Sequence, residues 1–429
     1  MAHTPSMSNL TLYSLGVGTL IFNEFVSIDV LTIDSSSVQF NKGLSVSGNL
    51  SLGSGAKVTA LSLTADSIYL SDGAALTTES VTVNTDMTMI NGAKVTVPTA
   101  IANPKKIHKL DIAVIGTLTV DPSSVIDLDG KGYPSNYWSG PDFSADTRQG
   151  CHGGLRGNRS SDCSYGRYDQ ANFAGSGGYY YTSDWPGQGG GVASISANAL
   201  VLDGVIRANG NRSRYNSAGA GGGLNVDVRA LSGAGFLQAN GGSTYNNYNY
   251  PAGGGGRISM HLIDGSGFTG TMEASGGSAG TNYVGGAGTV YVKDASQSYG
   301  HLKVDNGGKT AKPGSTPIRS VGRHVITSVS EVSDGVWRIE VSGNPWRTMD
   351  AANDWGLDGV DVDLDASEDL SPHYTVVSNT VNTLIVVTAE DLMGVLGNEL
   401  VGVHTFETLN VSGGASAEFG EDRIMEIQQ

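Results

Sequence analysis

Charge is scarce in this chain: Asp, Glu, Lys and Arg supply 15% of its 429 residues. What charge there is leans acidic, to a formal −16, which excludes nucleic-acid phosphate as a favoured partner. Proline is limited to 12 residues and no strict Gly-X-Y triplet occurs, so a collagen triple helix is excluded. No apolar run reaches the roughly 18 residues that a membrane-crossing helix needs, and no membrane insertion is expected. The stretch from Met1 to Leu10 lacks the basic head and apolar run of a signal peptide. Export by another route, excision from a longer chain, or a virion-borne or cytoplasmic protein would each fit that. The eight histidines are scattered, which speaks against a zinc site. No glycine leads into GK[ST] at the spacing a phosphate-binding loop requires, and the GxGxxG-like matches follow from composition alone.

Cysteine is nearly absent too. Cys151 and Cys163 are the only two, both in a Gly/Ser/Arg-rich stretch. A disulfide between them would close a short loop, stabilise by roughly 3 kcal/mol and favour an oxidising compartment. Two free thiols are the alternative.

Glycine, by contrast, is abundant: 62 residues, of which 35 lie in 151–300. Disorder is a poor explanation, because 39% of residues are apolar and they alternate regularly. Glycine clusters end at Gly191, Gly223 and Gly256, and a looser one at Gly288, at intervals of 32 or 33 residues. Each is followed by an alternating apolar run and a small-residue turn such as Ala208-Asn209-Gly210 or Ala239-Asn240-Gly241. A fixed period of this size means stacked units.

A shorter period precedes it. Over 27–107, apolar-x-apolar pairs recur every five to seven residues, among them Leu44/Val46, Leu50/Leu52 and Val81/Val83. Each pair reads as a short strand with one buried face. Three pairs make a lap of 18 or 19 residues, marked by Gly55-Ala56, Gly73-Ala74 and Gly92-Ala93. The spacing predicts an all-β chain, a three-sided parallel β-helix (solenoid) of either hand. Residues 1–26 form a lead-in, and 108–319 continue the solenoid with laps of about 32 residues. There the extra residues fall at one phase, just after the Asn-Gly corner, as 131–186, 211–220, 243–252 and 278–284. Asn-Gly tolerates positive φ and suits a sharp corner, and insertions at one phase project from one edge. Over 320–404 glycine thins out, and His324–Ser330, Val336–Val341, Val360–Leu364, Tyr374–Val377 and Leu384–Val387 predict the strands of a small β domain. Ala389–Leu396 reads as a possible short helix. Leu409/Val411 and Gly414-Ala415 then restore the lap signature over 405–429.

A family resemblance emerges from "GTLTVDPSSVIDLDGKGYP" from Gly116, "GCHGG" from Gly150 and "GGGVASISANALVLDGVIRANG" from Gly189. It continues through "GGGGRIS" from Gly253, "GFTGTMEASGG" from Gly267, "GGAGTVYVKD" from Gly285 and "FETLNVSGGASAEFG" from Phe406. The series resembles the glycine-rich modules of very large, repetitive surface or secreted proteins, chiefly bacterial. It covers most of 108–420. The resemblance implies extracellular or cell-surface display, adhesion or matrix-like structure, and carries no reaction.

The insertions hold the candidate working groups. The flap 131–186 mixes Asp146, His152, Tyr168, Asp169, Asp184 and Trp185. A lyase needs a base and a charge neutraliser, and a hydrolase needs two carboxylates at a set separation. No spacing here is diagnostic, and a disulfide-tied flap in which His152 supports a glycine turn explains the same residues. The shorter insertions carry Tyr215, Tyr245, Tyr248, Tyr250 and Tyr283, whose flat faces and hydroxyls suit sugars and protein epitopes. With Trp185, Tyr168 and His152 they form the candidate ligand edge. Rings packed on one another are the plainer explanation.

Seven carboxylates fall between Asp354 and Asp369. An EF-hand starting at Asp361 fails, because Ala366 and Pro372 stand where Gly and Glu are required. On a strand, Asp361, Asp363 and Asp365 would share one face, where calcium would relieve their repulsion. A solvated acidic edge is the alternative. The expected function is a non-enzymatic structural or adhesive module that binds a glycan or a surface protein, or copies of itself end to end. A polysaccharide lyase or hydrolase and a phage tail fibre or spike are the alternatives.

Overall fold

The computed structural model describes residues 7–13, 16, 18–102, 105–137, 149–158, 163–179, 187–214, 216–245, 250–280, 283–311, 314–346, 356–367 and 372–426. Among them the chain is nearly all β, and two large parallel sheets dominate it. The longer sheet has 14 strands and the narrower one nine. The chain alternates between them, so each strand pairs with the equivalent strand of the next repeat rather than with its sequence neighbour.

Alternation explains why these residues form these strands. Leu12, Ile33, Leu52, Leu70, Met89, Val120 and Leu202 are successive register partners in the long sheet. Val38, Val58, Leu76, Val95, Ile126, Ile206 and Leu237 do the same in the narrow sheet. Both columns point into one continuous apolar core. Ser, Thr and Asn occupy the outward positions, where Thr64 bonds Ser45 at 3.0 Å and Ser67 bonds Asn49 at 2.7 Å. Leu31, Leu50, Ile68 and Met87 are partners 18 or 19 residues apart, the expected short period. The three apolar pairs of a repeat are distributed over two sheets, not three. In Leu44–Gly53 two pairs share one strand, with a register shift between Val46 and Asn49.

Turns between the two sheets carry paired left-handed residues: Ser54–Gly55, Asp72–Gly73 and Asn91–Gly92 all have positive φ. The Gly55 amide donates to Asp72 O at 2.8 Å and the Gly73 amide to Asn91 O at 2.9 Å, so the turns stack as the strands do.

The two ends of the long sheet differ. At the N-terminal end Leu10, Leu12 and Phe22 face inward but are only partly buried. At the other end Thr289–Asp294 pairs antiparallel with His301–Asp305, which reverses the chain direction where a further parallel repeat was expected. His301–Asp305 then pairs in parallel with Thr408–Ser412. The returning segment turns at Gly413 and Gly414, both with positive φ, as its sequence predicts.

Between these two partners lie six strands of the C-terminal domain, a seven-stranded sheet whose last strand, Arg423–Glu426, follows them. Arg323–Ser333 pairs with both Val336–Val341 and Glu399–Phe406, which closes six of its strands into a ring. Trp337, Trp346, Ile339, Val362 and Leu384 fill it. All five predicted strands are present, and Glu399–Phe406 is an additional one. The short helix reduces to one 3-10 turn at Met393–Val395.

Candidate functional site

The insertion edge is built on glycine. Beyond each narrow-sheet strand the chain enters runs that are neither helix nor strand: 187–191, 219–222, 252–256 and 284–288. They hydrogen-bond directly to one another. Gly190 donates to Ala220 O, Gly221 to Gly254 O and Gly255 to Gly286 O, at 2.9–3.0 Å. A Cβ on Gly190 would stand 1.9 Å from Ala208 O, and one on Gly221 2.0 Å from Ala239 O. Side chains are therefore sterically barred at these glycines.

Three corner glycines obey the same rule, whereas Gly130 and Gly307 take the positive φ expected of a corner. Gly210, Gly241 and Gly276 are not among the positive-φ residues. A Cβ on any of them would meet the carbonyl oxygen of Gly219, Gly253 or Gly285 at 2.1–2.2 Å. The neighbouring polar residues have a separate task. Asp129 Oδ1 accepts from the Asn209 amide, Asn209 Oδ1 from the Asn240 amide and Asn240 Oδ1 from the Ser275 amide, at 2.7–2.8 Å. Each corner thus caps a backbone donor of the next.

The flap lies on this glycine layer. Gly153 and Gly154 both donate to Gly255 O, Gly254 donates to Gly150 O and Gly175 donates to Gly190 O. Cys151 and Cys163 form the expected disulfide, fully buried. His152 between them is also fully buried. Its Nδ1 bonds Gly221 O at 2.9 Å, its ring stacks on Tyr165 at 4.6 Å, and its Nε2 has no hydrogen-bond partner among the described residues. Burial, with the Arg257 guanidinium second, pushes its pKa down to about 3. His152 is a neutral interior group that supports a glycine run, and direct ligand contact is corrected for it.

Tyr168 is half-buried. Its ring packs against Tyr291, Phe406 and His404, with centroids at 5.4, 5.7 and 6.2 Å, where flap, long sheet and C-terminal domain meet. Burial pushes its hydroxyl well above the usual range. Asp169, a candidate acid, is paired with Arg167 at 2.5 Å. Burial alone would raise its pKa, but Arg167 overrides it and the carboxyl is held below its ordinary value. Arg167 also reaches Asp358 of the C-terminal domain at 3.0 Å. Arg167, Asp358 and the buried Arg257 were not singled out from the sequence, since isolated charges show no period. Arg257 Nε donates to Tyr165 O at 3.0 Å and holds the flap from below.

The tips of the shorter insertions form a tier at the rim. Ser213 donates to Ser243 O at 3.1 Å, Thr244 to Ser278 O at 3.0 Å and Tyr245 to Ser213 O at 2.8 Å. Tyr245 is 36% exposed, with the Arg212 guanidinium 4.6 Å from its ring centroid. Tyr250 and Tyr283 are half-buried on neighbouring tips, tied by Thr244 Oγ1 to Tyr250 O and by the Ala252 amide to Tyr283 O. Tyr215, Tyr248 and Trp185, with Asp146 and Asp184, lie outside the described residues.

The three aspartates of the acidic stretch diverge. Asp363 is fully buried and pairs with Arg423 at 2.7 Å, Asp361 accepts from Thr375 and Asp365 from Ser367. The strand ends at Asp363, so the shared face expected for the three does not form. Among the described residues no group of three His, Cys, Asp or Glu is placed to hold a metal ion. No helix there is long and apolar enough to cross a membrane.

With this geometry in hand, comparison with known proteins adds no relative: no protein-family model, no curated protein and no solved structure matches the chain.

Proposed function

We propose that the chain is a parallel β-solenoid acting as a non-enzymatic structural or adhesive module at the cell surface or outside the cell. It takes a glycan or a surface protein on the rim of its insertions. The observation that carries this reading is the tier of mutually hydrogen-bonded tips bearing Tyr245, Tyr250 and Tyr283. Rigid loops with amphipathic rings bind with little ordering cost. The buried disulfide favours an oxidising setting, and the glycine-rich series resembling large surface proteins points the same way. Against catalysis, the flap's described acid-base groups are engaged: His152 is buried and neutral, and Asp169 is ion-paired. For contacts with further copies, the half-covered core at the N-terminal end, where Leu20 is 37% exposed, is the surface available.

The test is a panel of immobilised glycans and cell-surface extracts, with Tyr245→Ala/Tyr250→Ala as the variant. Binding that falls about tenfold, with an unchanged melting temperature, supports the rim; loss of one aromatic contact commonly costs more than 1 kcal/mol. Unchanged affinity removes the rim, and new reducing ends or unsaturated products would make the protein an enzyme.

A further inference from the structure

The two large sheets do not end together. The narrow sheet stops at Thr271–Glu273, whereas the long sheet continues through Thr289–Asp294, His301–Asp305 and Thr408–Ser412. A cleft of about 360 Å3 lies where the next narrow-sheet strand would stand. Five consecutive residues, Thr271 to Ser275, line one side, so a backbone edge borders it rather than one face of a strand. Lys303, Asp305 and Lys309 line the other side, with Val290 between.

Two unmet demands coincide at Met272. Parallel strands bond alternate residues to opposite neighbours. The Thr271 amide donates to Gly235 O and Glu273 O accepts from the Ala239 amide, both on the preceding repeat. The Met272 amide and carbonyl therefore point the other way, where the strand has no pairing among the described residues. Two residues on, Ala274 O already takes the Gly288 amide at 2.6 Å. The Met272 side chain is the second demand. It ends the inward column of Val95, Ile126, Ile206 and Leu237, all fully buried, yet is itself only half-buried.

We propose that the cleft takes an extended peptide segment as the next strand of the narrow sheet, uncharged and with a large apolar side chain at its centre. The site is separate from the tyrosine rim and does not depend on it. Backbone pairing with Met272 supplies affinity, and the central side chain covers Met272 and Val290, the division of labour seen in strand addition. Charges around the cleft balance: Lys303 pairs with Asp305 at 3.0 Å, and Lys309 feels the opposite charge of Glu273. A charged segment therefore gains nothing there. One end of the cleft is shut, where Asn306 Oδ1 accepts from the Gly276 amide at 2.7 Å and Lys309 Nζ donates to Ser275 Oγ at 2.9 Å. The occupant is a single segment, not the end of another copy. At the N-terminal end both sheets begin in the same repeat. The long sheet overhangs the cleft by three strands, roughly 14 Å at about 4.8 Å per strand, which holds such an end away from Met272.

The experiment titrates the full chain with capped pentapeptides Ser-Thr-X-Thr-Ser, where X is Ile, Leu, Phe or Asp, and with the Ile peptide N-methylated at alternate residues. Calorimetry reads affinity and hydrogen exchange reads location. At least one apolar peptide is expected to bind, slowing exchange in 270–275, and the Asp peptide is expected not to. N-methylation should weaken binding about tenfold, because it removes backbone donors and keeps the apolar side chain. Met272→Asp should abolish binding with the fold verified by its melting curve; should that variant not fold, the N-methylated peptide makes the same distinction in the wild type. Tyr245→Ala/Tyr250→Ala should leave binding unchanged. Failure of every apolar peptide, equal binding of the N-methylated one, protection elsewhere than 270–275, or a response only to the tyrosine pair would each overturn the proposal.

Discussion

Glycine serves two distinct purposes at the residue scale, and they differ in cost. Gly55 sits in a turn at φ +73 with nothing within 4 Å of a prospective Cβ. Gly55→Ala meets only the left-handed backbone penalty, about 1–2 kcal/mol. Gly255 has no such φ, but its Cβ would lie 1.9 Å from Ala274 O and 2.3 Å from Gly288 N. Backbone cannot step aside, so Gly255→Ala is expected to cost about 3 kcal/mol or more. Urea denaturation of the two variants measures the difference, and equal costs would contradict the packed glycine layer. His152 provides a second residue-scale test. Unfolded, it titrates near 6.5; folded, burial and then Arg257 hold it at about 3. Between those values the unfolded chain binds a proton that the folded chain does not. Stability is therefore full above the unfolded value and falls as pH drops, by up to about 1.4 kcal/mol per unit. Asp127 adds its own loss only below 3.8: burial opposes its ionisation, but Arg207 and Lys94 hold it at about 2. Melting temperatures of His152→Gln between about pH 6.5 and 4 should show a flatter slope than wild type.

At the scale of elements, legibility followed periodicity. The strands from Val26 to Thr96 were readable because inward Leu, Val and Ile alternate with Ser and Thr, and burial selects that pattern directly. The Asn-Gly corners were located correctly for an incomplete reason. Close backbone approach, not positive φ, requires the glycine at Gly210 and Gly241, and the preceding Asn caps its neighbour. The antiparallel turn-back at His301–Asp305 was not readable, since Leu302 and Val304 alternate identically in either direction. For the candidate site the tier of Tyr245, Tyr250 and Tyr283 was visible as a composition. The burial of His152 was not, because it depends on a flap folding back across glycine runs from several repeats. The disulfide belongs to this scale. It ties one short stretch of the flap and touches neither sheet's register. Cys151→Ala/Cys163→Ala should cost roughly 3 kcal/mol, with amide exchange rising in 149–179 while 44–97 stays protected. Faster exchange throughout both sheets would show instead that the flap is integral to their stability.

For the whole molecule, position along the sheet should decide the cost of a mutation more than residue type does. Leu12 and Leu52 occupy the same inward column, separated only by Ile33. Leu52 is 1% exposed and is covered on both sides, by Ile33 and Leu70. Leu12 is partly exposed and, among the described residues, has Ile33 alone as its register partner. Nearest-neighbour contacts dominate such an arrangement, so a terminal repeat lacks one of two interfaces. Leu52→Ala removes a fully packed side chain and should cost about 2–5 kcal/mol. Leu12→Ala removes one already half in water and should cost about 1 kcal/mol, with exchange increasing first in 7–13. Equal costs for the two substitutions would mean that the first strand's outer side is covered in solution. The obvious cover is another copy of the chain, and dilution would then restore the difference.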